Sequence, residues 1–345
     1  MFNQKNSITR KDLKSRLDSF SRLSLADLPT PLFDCPRLSK ELDGPRILIK
    51  REDQTGIAFG GNKIREFEYS LAPAVEGNYD ILLHGAASQS NQSRVTAAVA
   101  ARLGKKAVMV GQRDDHSEPI TGNLLLSHIF GADIYLTDNP GEKIEIINRL
   151  RKEGHRVYNT STDGYLLRSI AYVDGFLELS KQLQDQDIHP AALYVCSGVH
   201  THVGLVIGAR ALGIPVEVIG IKPMPRENEE SSRELACVAK KVALMLDLSL
   251  QINPADFECH GNYAGEAYGT VTERGRDAVL LMARTEGLLL DPVYTGKAFG
   301  AMIEHIRQKR WTKDQTVVFV HTGGTPALFA YGDEILSPKT EVNCD

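Results

Sequence analysis

The chain lacks any CxxC pair, and its five cysteines, Cys35, Cys196, Cys237, Cys259 and Cys344, are scattered and odd in number. That pattern argues against a zinc knuckle and a disulfide framework, and it suits a reducing cytoplasm. No uninterrupted apolar run is long enough to cross a bilayer. The opening stretch MFNQKNSITRKDLKSRL has no apolar segment, so no secretory signal is expected in it. An excess of positive charge is also missing: the net charge of −4 leaves no footprint for nucleic acid. Internal repeats and low-complexity tracts are absent. What is present is ordinary for a soluble globular protein, 42% hydrophobic and 24% charged. At 345 residues the chain is too long for one compact core, so two domains or one large α/β unit are expected.

Strand-like and helix-like segments alternate. LPTPLFDCPRL (28–38) reads as extended chain with turns, and RILIKRED (46–53) as a short strand. A helix follows the glycine pair at 60 and 61 and runs to about residue 77. YDILLHG (79–85), KAVMVG (106–111), DIYLT and RVYN read as strands separated by helices, one of them the alanine-rich 92–104. The alternation resumes with the helix IAYVDGFLELSKQLQ, the strand AALYVCSG (191–198), a helix and the strand VEVIGIKP. Further helices fall at about 227–246, at 274–287 and over FGAMIEHIRQKR, and TVVFVHTGG (316–324) is an apolar strand entering a glycine turn. This order predicts parallel βαβ units, with a change of sheet near 60 and again near 175.

Four loops carry the chemistry. FGGNKIREFEYS (59–70) puts Lys63 on a glycine hinge at the mouth of a helix, where anions rather than ammonium groups are normally welcome. Lys63 is then either a surface lysine or one that can form a Schiff base with an aldehyde cofactor such as pyridoxal phosphate. GAASQSNQSR (85–94) sits between strand and helix, where α/β proteins bind ligands; Ser90 or Asn91 is alternatively a plain helix cap. CSGVHTHVGL (196–205) offers hydroxyls and free N–H groups to a phosphate, but has neither the GK[ST] of a P-loop nor GxGxxG. His200 and His202 form an HxH with no further ligand at a recognisable spacing, so no metal is expected and the imidazoles line the pocket or bond backbone. LDPVYTGKA (290–298) and HTGGTPALF (321–329) each follow an apolar stretch. Tyr294 is placed to stack, to exchange protons or merely to pack, and Thr322 to bond a ring nitrogen.

KREDQTGIAFGGNKIREFEY, QSNQSR, LDPVYTGK and HTGGTPALFAY, in this order over about residues 28–335, resemble the D-cysteine desulfhydrase and 1-aminocyclopropane-1-carboxylate (ACC) deaminase family. That family belongs to the tryptophan-synthase-β-like, type II fold, pyridoxal phosphate enzymes. The resemblance implies an α/β fold of two open, twisted, mostly parallel sheets flanked by helices, with the cofactor between the domains. The expected division is a larger domain from 1–62 and 175–345 around a smaller inserted one at 63–174. By the same resemblance Lys63 is the Schiff-base lysine and Asn91 bonds the cofactor's phenolic oxygen. Ser90 lies near the substrate carboxylate and Cα, with Gln89 in the same loop. Ser197, Gly198, Val199, His200 and Thr201 form the phosphate loop. Tyr294 stands next to the cofactor ring, Tyr268 is a second active-site tyrosine, and Thr322 faces the pyridine nitrogen. The expected catalytic set is Lys63, Ser90, Tyr294 and Tyr268; the expected substrate contacts are Gln89, Ser90, Tyr268 and Tyr294. A cytoplasmic homodimer acting on a small amino acid, with neither membrane nor nucleic acid as partner, completes the expectation.

Three departures bear on substrate. ACC deaminases carry VYEG, with a glutamate able to pair with the pyridine nitrogen, where this chain has VYTG with Thr295. The phosphate loop SGVHT replaces a turn close to SGSAGT, adding bulk and an expected positive charge at His200. GAASQSN replaces GGIQSN or GAIQSN. Thr295 points to α,β-elimination from a β-substituted alanine such as D-cysteine, and the two loop changes point away from plain D-cysteine toward an acidic leaving group such as the sulfonate of cysteate. ACC deamination, β-replacement or a biosynthetic step, and a non-catalytic relic of the fold stay open.

Overall fold

The computed structural model describes residues 7–139, 141–196 and 198–336. Its strands fall into two sheets because the apolar runs fall into two sets. The first set is β1 (Leu32–Asp34), β2 (Arg46–Lys50), β7 (Ala192–Cys196), β8 (Glu217–Ile221), β9 (Glu258–His260) and β10 (Thr316–Val320). Its order is β1-β2-β10-β7-β8-β9, with β1 antiparallel to β2 and the rest parallel. The second set is β3 (Ile81–His84), β4 (Lys106–Gln112), β5 (Asp133–Thr137) and β6 (Val157–Asn159), all parallel in the order β5-β4-β3-β6. β3, β7 and β10 read as near-continuous apolar runs because helices cover both faces of a parallel sheet.

The connecting helices are α1 (Arg10–Leu17), α2 (Pro36–Glu41), α3 (Asn62–Ser70), α4 (Ala72–Glu76), α5 (Asn91–Arg102), α6 (Gly122–Ile129), α7 (Glu142–Lys152) and α8 (Leu167–Asp185). They continue as α9 (His200–Leu212), α10 (Asn228–Met245), α11 (Glu273–Glu286), α12 (Thr295–Arg307) and α13 (Gly332–Leu336). The single helix expected to residue 77 is two, because Pro73 at the start of α4 has no N–H to donate. On the larger sheet, α8, α9 and α10 bury one face and α2, α11 and α12 the other. α8 joins that core from Ile170 onward.

α8 and α9 approach closely at two glycines. A Cβ at Gly204 would meet Tyr172 Cβ at 2.4 Å and the Ser169 carbonyl at 2.5 Å; one at Gly208 would meet Phe176 Cβ at 2.6 Å. Gly204→Ala is therefore expected to cost about 1–3 kcal/mol of unfolding free energy in urea titrations. An unchanged midpoint would show that the two helices can part freely.

The topology also fixes where ligands go. In the larger sheet the chain winds one way through β7, β8 and β9, while β10 and β2 lie on the opposite side of β7. In the smaller sheet β4 and β5 lie on one side of β3 and β6 on the other. Open α/β sheets bind ligands outside the carboxyl ends of strands at such reversals. The loops after β7, β10 and β3 leave from those points.

Candidate active site

A cavity of about 630 Å³ opens at these strand ends, within the size usual for small-ligand sites. Its lining draws Lys63 from α3, Ser90 and Asn91 from the loop after β3, and Gly198, Val199, His200 and Thr201 from the loop after β7. Tyr268, Tyr294 and Thr322 complete the set, so the structure brings these residues together. Ser197 lies outside the described residues.

Lys63 is the second residue of α3. The helix starts where it does because Gly60 and Gly61 take positive φ, 62° and 112°, a region costly for other residues. Lys63 Nζ donates to Glu66 Oε1 and Oε2 at 2.9 and 2.8 Å, and the Glu66 carboxylate is fully buried. Asn62 Nδ2 donates to Glu66 at 3.2 Å and to Thr201 Oγ1 at 3.1 Å, tying the start of α3 to the start of α9. The Asn62 amide donates to the Thr322 carbonyl at 3.0 Å, which ties in the loop after β10 as well. The ammonium is thus tolerated at a helix N-terminus by a carboxylate three residues on, a pairing set by helical spacing. That spacing is the sequence signal for Glu66, which no motif singles out.

Ser90 caps α5, its hydroxyl accepting from the Ser93 amide at 3.3 Å, and Asn91 accepts from Asn123 at 3.0 Å. Gln89 is a correction. It does not reach the cavity: its amide donates to the carbonyls of His116 and Thr121 and accepts from the Asn123 amide, fastening its loop to the segment before α6.

His200 is a second correction. It brings no positive charge, because burial, then the charges of Arg168 and Lys63, hold its pKa well below the usual value. Its Nδ1 lies 3.0 Å from Ser169 Oγ, and its ring meets Tyr165 edge-on at 4.3 Å. His84, also on the lining, is held neutral chiefly by burial. His202 turns into the larger core instead, Nε2 at 3.0 Å from the Val218 carbonyl. Among the described residues no three His, Cys, Asp or Glu side chains cluster as a metal site.

The Tyr268 and Tyr294 hydroxyls share a short hydrogen bond. Burial raises both phenols, Tyr268 to about 12, so the pair stays protonated at neutral pH. Thr295, expected near the ring nitrogen, is the fully buried first residue of α12 and is bonded to Asp291 through Oγ1 at 2.7 Å. Thr322 does reach the lining, and among the described residues no group bonds its hydroxyl. Glu66 is the only carboxylate among the described lining residues. Cys196 is also there, but burial pushes its thiol far up, which makes it inert as a nucleophile. Lys222, another residue without a sequence signal, donates to the Gly198 carbonyl and steadies the loop after β7.

These residues fit a phosphorylated aldehyde. Lys63 offers an amine to the carbonyl. α9 starts with no side-chain cap, leaving its first turn to an anion. Arg168, behind the lining, keeps Nε and Nη2 buried without a partner.

A family model described as pyridoxal-phosphate dependent enzyme matches residues 23–323. A curated D-cysteine desulfhydrase from Klebsiella pneumoniae (strain 342) is 38% identical over 325 residues, 91% of this chain and 97% of the relative. A solved ACC deaminase homologue superposes with a TM-score of 0.83 at 29% identity, covering 94% of this chain and 98% of its own. A pyridoxal 5'-phosphate-dependent aspartate racemase, at 18% identity and a TM-score of 0.64 over 93% of this chain and 97% of its own, shares the fold. The lysine on its glycine hinge and the uncapped α9 stand within the matched span, and this chain belongs to the pyridoxal-phosphate dependent enzymes.

Proposed function

We propose that this protein is a lyase that removes the β-substituent of a β-substituted alanine, D-cysteine or cysteate being the model substrates. The products are pyruvate, ammonia and the leaving group, with one water consumed. The carrying observation is that Lys63, Ser90, Asn91, the start of α9 and the Tyr268–Tyr294 pair all border one cavity. The 38% identity to D-cysteine desulfhydrases supports the substrate class.

Pyridoxal phosphate, when bound, supplies the electrophilic carbonyl and the electron-accepting ring that make the Cα proton removable. Lys63 would anchor the cofactor and, once freed by the incoming amino group, carry the proton from Cα. Glu66 holds its Nζ at a fixed point of the cavity wall until then. Ser90, at the N-cap of α5, would hold the substrate carboxylate, with helix amides behind it. Asn91 would hold the phenolic oxygen, Thr322 the ring nitrogen. The phenol pair, protonated to about pH 12 at Tyr268, would give a proton to the departing β-substituent.

Elimination is favoured over ring opening by what faces the ring-nitrogen side. Thr295 and Asp291 satisfy each other away from the cavity, so a hydroxyl rather than a carboxylate is available there. A hydroxyl supplies no opposite charge to hold a protonated pyridine. A leaving group that drains the charge early then suits the site better than a cyclopropane. D-cysteine, β-chloroalanine or cysteate should exceed ACC in kcat/KM by on the order of a hundredfold. The check is a pyruvate assay for the first set against 2-oxobutyrate release from ACC; a better rate on ACC would replace elimination with ring opening.

We infer in addition a larger domain from 1–62 and 175–345 and a smaller one at 63–174. The four strands of the smaller sheet all lie in the second span, while α8 sides with the larger unit. A cytoplasmic homodimer is the accompanying reading. Free Cys35, Cys196, Cys237 and Cys259 support the reducing compartment. Among the described residues no helix is long and apolar enough to cross a membrane.

A further inference from the structure

We propose that Arg168 is the buried cation that receives the cofactor's phosphate, an inference that rests on the pyridoxal phosphate reading above. Arg168 is the second residue of α8 and only 5% exposed. Its Nε and Nη2 are buried with no hydrogen-bond partner. Burying a guanidinium whose donors are unmet is among the heavier penalties a fold can carry. A partner from outside the chain removes it.

The surroundings say what partner that is. The charge of Arg168 acts on His84, His200 and Glu66, three residues of the cavity lining. Its neighbour Ser169 bonds His200, the first residue of α9. The guanidinium therefore backs the same end of the cavity as the uncapped N-terminus of a 13-residue helix. A phosphate satisfies both, taking backbone N–H groups on one side and the arginine fork on the other.

Among the described residues of the lining, the other candidates for that charge are neutral or already engaged, Arg226 by Glu230 and Glu234. His84 and His200 are neutral. The Lys222 ammonium is bonded to the Gly198 carbonyl. Lys63 is paired with Glu66 and is needed at the carbonyl. Glu66, whose carboxylate lies 3.4 Å from Thr201 Oγ1, would by itself repel a phosphate. Arg168 offsets that repulsion.

The test titrates the full-length apoprotein with pyridoxal phosphate and, separately, with pyridoxal, following the absorbance of the lysine adduct. In Arg168→Met the dissociation constant for pyridoxal phosphate should rise about tenfold to a hundredfold, and that for pyridoxal should stay unchanged. Arg168→Lys should recover part of the loss. The thermal midpoint of apo Arg168→Met should equal or exceed that of the parent, since an unmet buried charge is removed. Unchanged pyridoxal phosphate affinity, or an equal loss for both aldehydes, overturns the assignment. A lowered apo midpoint or an unfolded variant does so too, by showing a structural arginine. An unmutated protein that forms an adduct with neither aldehyde overturns the cofactor reading itself, a different result from an adduct indifferent to residue 168.

Discussion

Lys63→Ala is expected to lower D-cysteine turnover by on the order of 10³-fold or more, because the proposed mechanism makes one amine both the covalent anchor and the proton carrier at Cα. Visible absorbance sensitive to borohydride should disappear with it. The fold should survive, since α3 buries Ile64 and Phe67 and is tied down by Arg65 and Glu68. A small loss of thermal stability should accompany the substitution, however. Glu66 is fully buried and loses the partner that meets both its oxygens, keeping only Asn62 and Thr201. Lys63→Ala with Glu66→Gln should regain that stability and none of the activity. A single variant that kept full turnover would remove Lys63 from the chemistry.

The second large effect lies two residues further along α3. Arg65 is fully buried and grips Glu52 through Nε at 2.7 Å and Nη2 at 2.9 Å, with Glu178 of α8 at 3.1 Å. Thr30 and Tyr172 also donate to Glu52, at 2.6 and 2.9 Å. Breaking such a cluster from one side strands a buried charge, so Arg65→Met should cost about 3–5 kcal/mol in urea unfolding at neutral pH. Burial alone would raise the Glu52 pKa, but the Arg65 charge and its hydrogen bonds outweigh burial and take it from 4.5 to about 2. A carboxyl whose pKa is depressed by folding lends stability above its unfolded value and loses it as pH falls toward the folded one. In the parent, roughly 3 kcal/mol should vanish between about pH 4.5 and pH 2. The deficit of Arg65→Met should shrink across that window, since a protonated Glu52 no longer needs the guanidinium. An equal deficit at pH 7 and pH 3 would mean the arginine acts by packing alone.

Much of this architecture is legible in the letters. Short apolar runs such as TVVFV and ALYVC read as strands covered on both faces, and their alternation with helices predicts parallel crossovers. The glycine pair before Lys63 marks a backbone turn that few other residues allow. What the letters do not carry is direction and burial. In QSN, Gln89 is buried against the segment before α6 while Ser90 and Asn91 border the cavity, a choice that residue type does not announce. Thr295 and Thr322 are the same residue type in two similar-looking motifs, and only packing separates the one buried at the start of α12 from the one on the cavity. His200 reads as a charge until its burial is known. Glu66 stands inside the first motif without being singled out by it, Arg168 stands outside all four, and only the fold brings α3 and α8 close enough for their charges to interact.

β10 joins β2 on one edge and β7 on the other, so the middle of the larger sheet is the strand made last. On the ribosome β2 and β7 emerge early and wait with open edges while more than a hundred further residues are added. Unpaired edges of this kind recruit other strands, which makes the nascent chain a natural client for chaperones. Thr322 follows two residues after β10, so the pocket wall it supplies appears only once that strand has emerged. A ribosome stalled before residue 316 therefore holds a polypeptide that lacks the central strand and the pocket wall behind it.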